Sequence, residues 1–316
     1  MISDSIYIPR PELEDRILAA AKSRSRLVLH GQIGSGRFTV LSRVLSAEGF
    51  TVSTVDFSAL FTASDIAAAF ADIAGIPPDP AAFPFALKKL EATAGKAGKK
   101  VALVLRNLDA LSGNPEEGVI VGYLRSHLQG VHRVAVFFTV SDYEFARRHF
   151  FDIGGAFFKQ AALLEVGRLT EAEVAAMTRA HLGKRAAPAI AALICDLGGR
   201  KPAQTEHVLL WLRLRNASFY SQEVVLTAAR ALVQNMAPTF QSRLSGLTFN
   251  QRAVLTAFAR GHELKSSRVL ARASGVPVNT LGTVCSALLK QGLIVEDGNL
   301  GPVFSDPLLR VYLAQL

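Results

Sequence analysis

The residues that most directly suggest chemistry lie in one short segment, Gly31-Gln32-Ile33-Gly34-Ser35-Gly36-Arg37-Phe38-Thr39, set between an apolar run and an amphipathic stretch. Its glycines match the phosphate-binding pattern GxxxxGK[ST]. There, backbone N–H groups wrap phosphate oxygens, a lysine reaches the β- and γ-phosphates, and a hydroxyl binds Mg²⁺. Gly31, Gly34 and Gly36 fall in place, but the lysine position holds Arg37 and the hydroxyl position holds Phe38. Thr39 comes one residue too late, about 100° further round the helix, and does not simply replace the missing hydroxyl. Arg37 keeps the charge, but as a planar fork rather than a compact ammonium. The segment Gly31, Gly34, Ser35, Gly36, Arg37, Phe38, Thr39 is thus expected to hold ATP or ADP on a helix N-terminus. It provides poorly for magnesium.

A phosphoryl-transfer site also needs acids for metal and water. The apolar run Val101 to Leu105 ends instead in Arg106-Asn107-Leu108-Asp109, with Arg106 and Asn107 where the acids belong. Arg106 would repel a metal ion. Asp109 reads either as a displaced metal ligand or, the favoured reading, as a cap for the next turn. No catalytic residue is assigned, and efficient hydrolysis is not expected.

Five apolar runs position these segments: Leu27–His30, Val52–Phe57, Val101–Leu105, Val134–Val140 and Ala162–Val166. Helical patterns lie between them, near 38–48, 64–75, 83–94, 116–128 and 142–149. Strands alternating with helices imply an α/β fold with a parallel sheet covered on both faces, and unbroken apolar runs suit strands buried on both sides. After Val166 the pattern is helical, opening on a capping box of Thr170 and Glu173. It is broken at Pro188, Gly198-Gly199 and Pro202, with a boundary at Ala237-Pro238.

The C-terminal part reads as a winged helix-turn-helix. Thr248 opens a helix with Val254, Leu255 and Phe258. Ser266 or Ser267 caps a second with Val269, Leu270 and Ala273, and Gly275-Val276-Pro277 turns into a third from Val278 to Gln291. A hairpin turning at Asp297-Gly298-Asn299 and a last helix from Asp306-Pro307 complete it. On the third helix Leu281, Val284, Cys285 and Leu288 form the buried stripe. Asn279, Thr280, Thr283, Ser286 and Lys290 face outward for a major groove, while Lys265, Arg268 and Arg272 are placed for phosphates. The expected domains are 1–165 (P-loop α/β), 166–240 (helical lid) and 241–316 (winged helix).

The charge is distributed to match. Of the net +9, residues 1–165 contribute +1 (18 basic, 17 acidic), 166–240 contribute +4 (9 and 5), and 241–316 contribute +4 (8 and 4). The basic excess sits where a nucleic-acid footprint would lie. Double-stranded DNA is the expected partner, with a protein partner or self-assembly as the second choice, since winged helices also dock proteins. Cys195 and Cys285, far apart and outside any CxxC pair, read as small core residues and argue against disulfide or zinc chemistry. Met1 to Arg10 lacks an apolar signal region, and no run reaches the ~18 apolar residues of a membrane span. A soluble, cytoplasmic protein is expected.

Together these motifs resemble the AAA+ superfamily, most nearly the archaeal-type ATPases and the origin-recognition initiator ATPases, which carry a C-terminal winged helix. Tyr7-Ile8-Pro9-Arg10-Pro11-Glu12-Leu13-Glu14 resembles the segment that precedes the P-loop in that group. The resemblance implies a sensor-1 role at Thr139-Val140-Ser141, carried by Ser141, which otherwise caps the following helix. It implies a sensor-2 role for Arg200 in Gly198-Gly199-Arg200-Lys201-Pro202, a stretch that otherwise only ends one helix and opens another. It places Arg147 and Arg148 in the region of an arginine finger. The Phe137-Phe138, Phe150-Phe151 and Phe157-Phe158 pairs read as core, and the stretch 150–160 also as a contact surface. The leading expectation is a weakly or non-hydrolysing AAA+-like protein that binds DNA. The alternatives are a pseudo-ATPase scaffold or regulatory subunit, and an active ATPase using Asp109 and Thr39 in displaced roles.

Overall fold

The computed structural model describes residues 6–315 apart from 61, 80, 188, 266 and 298–300. The chain divides into two compact units, Pro9–Gly167 and Arg168–Leu316 with Met1–Ile8.

In the first unit α1 (Pro11–Ser23) opens on proline, whose missing N–H costs nothing at that position. The Arg10 N–H donates to the Glu14 carboxylate at 2.6 Å. Then follow β1 (Leu27–His30), α2 (Arg37–Ala47), β2 (Phe50–Asp56), α3 (Ala63–Ala74), α4 (Ala82–Ala94), β3 (Lys100–Arg106), α5 (Glu117–Leu128), β4 (Ala135–Val140), α6 (Tyr143–Ala146) and β5 (Ala162–Glu165). All pairings are parallel, in the order β2-β3-β4-β1-β5. The inner strands β3 and β4 are buried almost throughout, as their unbroken apolar runs require. Because β4 lies between β1 and β3, the loops leaving the carboxyl ends of these strands converge. Ligands of open α/β sheets bind there. A π-helical turn, Arg147–Phe151, continues α6. It seats Phe150 against Phe138 and Phe157, with ring centroids 5.0–5.1 Å apart.

The second unit holds α7 (Glu171–Leu182), α8 (Ile190–Gly198), α9 (Pro202–Arg215), α10 (Gln222–Asn235) and α11 (Ala237–Ser245). Next come α12 (Phe249–Ala259), α13 (Arg268–Ser274), α14 (Val278–Lys290), the antiparallel pair β6 (Ile294–Asp297) and β7 (Gly301–Phe304), and α15 (Pro307–Gln315). From α12 to α15 the order is three helices, an antiparallel strand pair and a final helix, which is consistent with the expected winged helix-turn-helix. The capping boxes Thr170–Glu173 and Thr248–Gln251 both form. Ser267 caps α13, its hydroxyl accepting from the Leu270 N–H at 3.1 Å. The break at Pro188, the alternative cap Ser266 and the turn at Gly298-Asn299 lie outside the described residues.

Two details differ from expectation. α11 was not anticipated, because Phe240 and Leu244 alone give it an apolar stripe. On α13 only Leu270 is buried, while Val269 is 66% exposed. A two-turn helix has room for one inward position, and the Ser267 cap sets that register. Cys195 and Cys285 are unpaired and partly buried against the second unit's core, and burial pushes both thiols up.

Candidate functional site

Between β1 and α2 the chain makes a tight cradle. Gly34 and Gly36 have φ of 85° and 81°, a region open to glycine and strained for other residues. Gly31 is required for space: a Cβ there would sit 2.5 Å from the Val166 carbonyl oxygen and 2.7 Å from Ser35 Oγ. Ser35 is 5% exposed, and its Oγ, facing Gly31 across the loop, has no hydrogen-bond partner. Gln32 Oε1 is likewise buried and unpartnered. Gly36 caps α2 without a side-chain acceptor, so the helix N-terminus presents free N–H groups toward the loop.

Arg37 folds back within this loop, Nη1 donating to the Gly31 carbonyl at 2.6 Å. Its pKa is lowered, first by burial, with Asp109 opposing the shift and Arg106 adding to it. Phe38 is covered by Arg106, whose guanidinium carbon stands 4.0 Å from the ring centroid. Arg106 also pairs with Asp56 at 3.3 Å, its direct neighbour across the β2–β3 register. Asn107, left-handed at φ 53°, donates its side-chain amide to Asp56 at 2.9 Å and its backbone N–H to Thr139 Oγ1 at 3.0 Å. The hydrogen bonds from Ser58 and Asn107 and the Arg106 charge outweigh burial and hold the Asp56 carboxyl below its usual range. Thr39 is exposed.

Asp109 does not cap its own turn, which Asn107 precedes without a side-chain cap. Its Oδ2 accepts instead from the Ser141 N–H, the Ser141 hydroxyl and the Asp142 N–H, tying the turn after β3 to the loop after β4. Its Oδ1 is buried and unpartnered. Ser141 therefore does not cap α6 either; Asp142 does, accepting from the Glu144 N–H. Both corrections share one cause. The interposed β4 brings residues about thirty positions apart together, and their mutual bonds displace the local caps.

The sequence reading gave no role to His30 or Asp56, and within Thr139-Val140-Ser141 it chose Ser141 rather than Thr139. His30 ends β1 beside Glu165 of β5, its ring 5.5 Å from Tyr143, and burial lowers its pKa, with Glu165 opposing and Arg37 assisting. All three stand at or near the carboxyl ends of parallel strands, which was the available signal. Arg147 is paired with Glu144 and Asp152, and Arg148 with Glu117. In the stretch 150–160, Phe150 and Phe157 are core and Ile153 is 87% exposed.

In the second unit Gly199 is left-handed and leaves no room for a Cβ beside Pro307. Arg200, also left-handed, accepts the Leu169 N–H with its carbonyl. With Arg168 and Arg310 it lines a cavity of about 880 Å³ floored by the stacked rings of Phe258 and Phe304. On α14, Leu281, Val284 and Leu288 are buried and Cys285 is partly so, whereas Asn279, Thr283, Ser286 and Lys290 are exposed. Thr280 is half-buried, its hydroxyl donating to the Pro277 carbonyl. Arg268 and Arg272 are exposed on α13, and Lys265 pairs with Glu263. Among the described residues no group of three His, Cys, Asp or Glu side chains is placed to hold a metal ion, and no helix is long and apolar enough to cross a membrane.

A parallel five-stranded sheet flanked by helices, with a glycine loop leading into a helix and a helical segment after it, is the AAA+ P-loop ATPase fold. Among solved structures the chain is similar to the Walker-type ATPase of Pyrococcus abyssi, at 13% identity and TM-score 0.68, covering 97% of this chain and 96% of that one. It is similar to the Aeropyrum pernix ORC2 protein, solved with ADPNP and ADP, at 17% identity and TM-score 0.61, covering 100% and 95%. It is also similar to the Aeropyrum pernix ORC1 protein in complex with DNA, at 15% and 0.58, covering 99% and 95%. No protein-family model and no curated protein matches the sequence.

Proposed function

We propose that this chain is an AAA+-fold, DNA-binding protein that holds a nucleotide and hydrolyses it weakly or not at all. The observation that carries the nucleotide half is the Arg106–Phe38 stack, set where hydroxyl and acid belong, beside an intact glycine cradle. The cradle offers phosphates the N–H groups of a helix N-terminus. The stack removes the groups that would organise metal and water for attack.

The DNA half rests on α14, one face of which is buried while Asn279, Thr283, Ser286 and Lys290 are exposed. Arg268 and Arg272 stand on the preceding helix for backbone phosphates. The similar ORC1 structure, solved with DNA, supports the reading. The wing adds little charge of the right sign, since β6 carries Glu296 and Asp297 and the latter pairs with Arg168 at 2.8 Å. Arg147 and Arg148 are already paired, which favours this reading over one in which they reach a partner's nucleotide. Two unpaired cysteines fit a reducing cytoplasm.

Electrophoretic mobility of duplex DNA at low and moderate salt tests the DNA half. Binding should weaken with salt, and Arg268→Ala with Arg272→Ala should flatten that dependence by about one unit of slope per lost phosphate contact. Absence of binding at low salt would remove the DNA reading.

A further inference from the structure

Four features around the loop fit an anion and do not fit a magnesium ion. The hydroxyl that would ligate the metal is the phenyl ring of Phe38, and the neighbouring β-strand end presents a guanidinium lying on that ring. Asp56, the carboxylate nearest that guanidinium, is taken up by Arg106, Asn107 and Ser58. Asp109 has one oxygen committed to Ser141 and Asp142, which leaves a single carboxylate oxygen. Magnesium demands near-octahedral oxygen ligation, and one oxygen beside two guanidinium groups is a poor start for it.

The same residues are well disposed toward phosphate. Arg106 Nε is buried with no hydrogen-bond partner, and Ser35 Oγ, in a side chain 95% buried, lacks one too. The Arg106 guanidinium repels the Arg37 charge and helps lower the Arg37 pKa. A polyanion between them would relieve that repulsion, and guanidinium forks match phosphate oxygens better than an ammonium does.

We propose that the loop binds a nucleoside di- or triphosphate as the metal-free anion, Arg37 and Arg106 supplying the counter-charge that a divalent cation supplies elsewhere. The inference rests on the nucleotide reading above and deepens it. Its consequence concerns the ligand's form: magnesium competes for the polyphosphate in solution and has no place in the complex, so added magnesium weakens binding.

Titration calorimetry of the full chain with ADP and with ATP, in EDTA and in millimolar magnesium chloride, tests this directly. The expected result is binding in EDTA that is tighter than binding with magnesium. Arg106→Gln should weaken binding in EDTA about tenfold, the scale of one charge-assisted contact, with Arg106→Lys intermediate because the charge stays and the fork is lost. Thermal melting of both variants separates a lost contact from a lost fold, and the magnesium comparison on the unaltered chain needs no variant. Binding that is unchanged or strengthened by magnesium would overturn the proposal and leave nucleotide binding standing. Absence of binding in both buffers would overturn the nucleotide reading itself.

Discussion

Lys201 is a buried lysine, 3% exposed, its Nζ donating to the Ser305 carbonyl at 2.6 Å. Burial first, then the charge of Arg168, pushes its pKa down from 10.5 to about 8, against the opposing pull of Asp306 and Asp297. The sign of the resulting pH dependence follows from proton counts. Below pH 8 both folded and unfolded chains keep the proton, and the folded state bears the cost of the buried charge. Between the folded value near 8 and the unfolded value near 10.5, the unfolded chain holds more protons, so stability rises with pH. A shift of that size corresponds to ~3 kcal/mol. The stability of the natural chain minus that of Lys201→Met should therefore grow with pH across this window, by up to ~3 kcal/mol. Urea unfolding at a series of pH values reads it, and a flat difference would show that Lys201 keeps an ordinary lysine pKa in the fold.

At the scale of elements, α7 illustrates how a helix start is written in sequence. Thr170 accepts from the Glu173 N–H at 3.1 Å, and Glu173 accepts from the Thr170 N–H at 2.6 Å. Thr170→Ala should lower stability by ~1 kcal/mol. Because both bonds belong to one box, Thr170→Ala with Glu173→Ala should cost less than the sum of the two, which a double-mutant cycle in urea measures. Full additivity would mean the two bonds act separately. The strands β1, β3 and β4 were legible for a similar reason: double-sided burial leaves an unbroken apolar run. The glycine cradle was legible because positive φ and close approach admit little else. Which partners Arg37, Asp109 and Ser141 choose was not. The Asp109–Ser141 bonds join segments 32 residues apart through the sheet order, which no local spacing encodes, and Arg37 turns back onto the Gly31 carbonyl of its own loop. The outward turn of Val269 was hidden too, since a seven-residue helix is too short for its periodicity to mark one face.

At the scale of the whole molecule, the segment after Arg168 behaves as a single piece. One hydrophobic cluster runs from Leu169 through Leu232, Phe240 and Leu281 to Leu313. Residue 240 lies inside α11, and the fully buried ring of Phe240 stands 5.3 Å from Tyr312 of α15. Lys201 bonds to Ser305, Arg168 pairs with Asp297, and Gly199 packs on Pro307. Each of these joins the stretch 168–245 to the α12–α15 segment. Burying a large apolar side chain stabilises by roughly 1.5–3 kcal/mol. Separating α7–α11 from α12–α15 would uncover several at once, enough to exceed the 5–15 kcal/mol that typically holds a domain folded. A fragment of residues 168–316 should therefore unfold in urea in one cooperative transition, whereas residues 241–316 alone should show a shallow, non-cooperative change by circular dichroism. The same physics applies to DNA binding. If α12–α15 depend on the helices before them, the 168–316 fragment should retain the salt-dependent mobility shift and the 241–316 fragment should lose it. A cooperative transition in the shorter fragment would show that α12–α15 fold without α7–α11, and that the shared core is a docking surface between two self-sufficient parts.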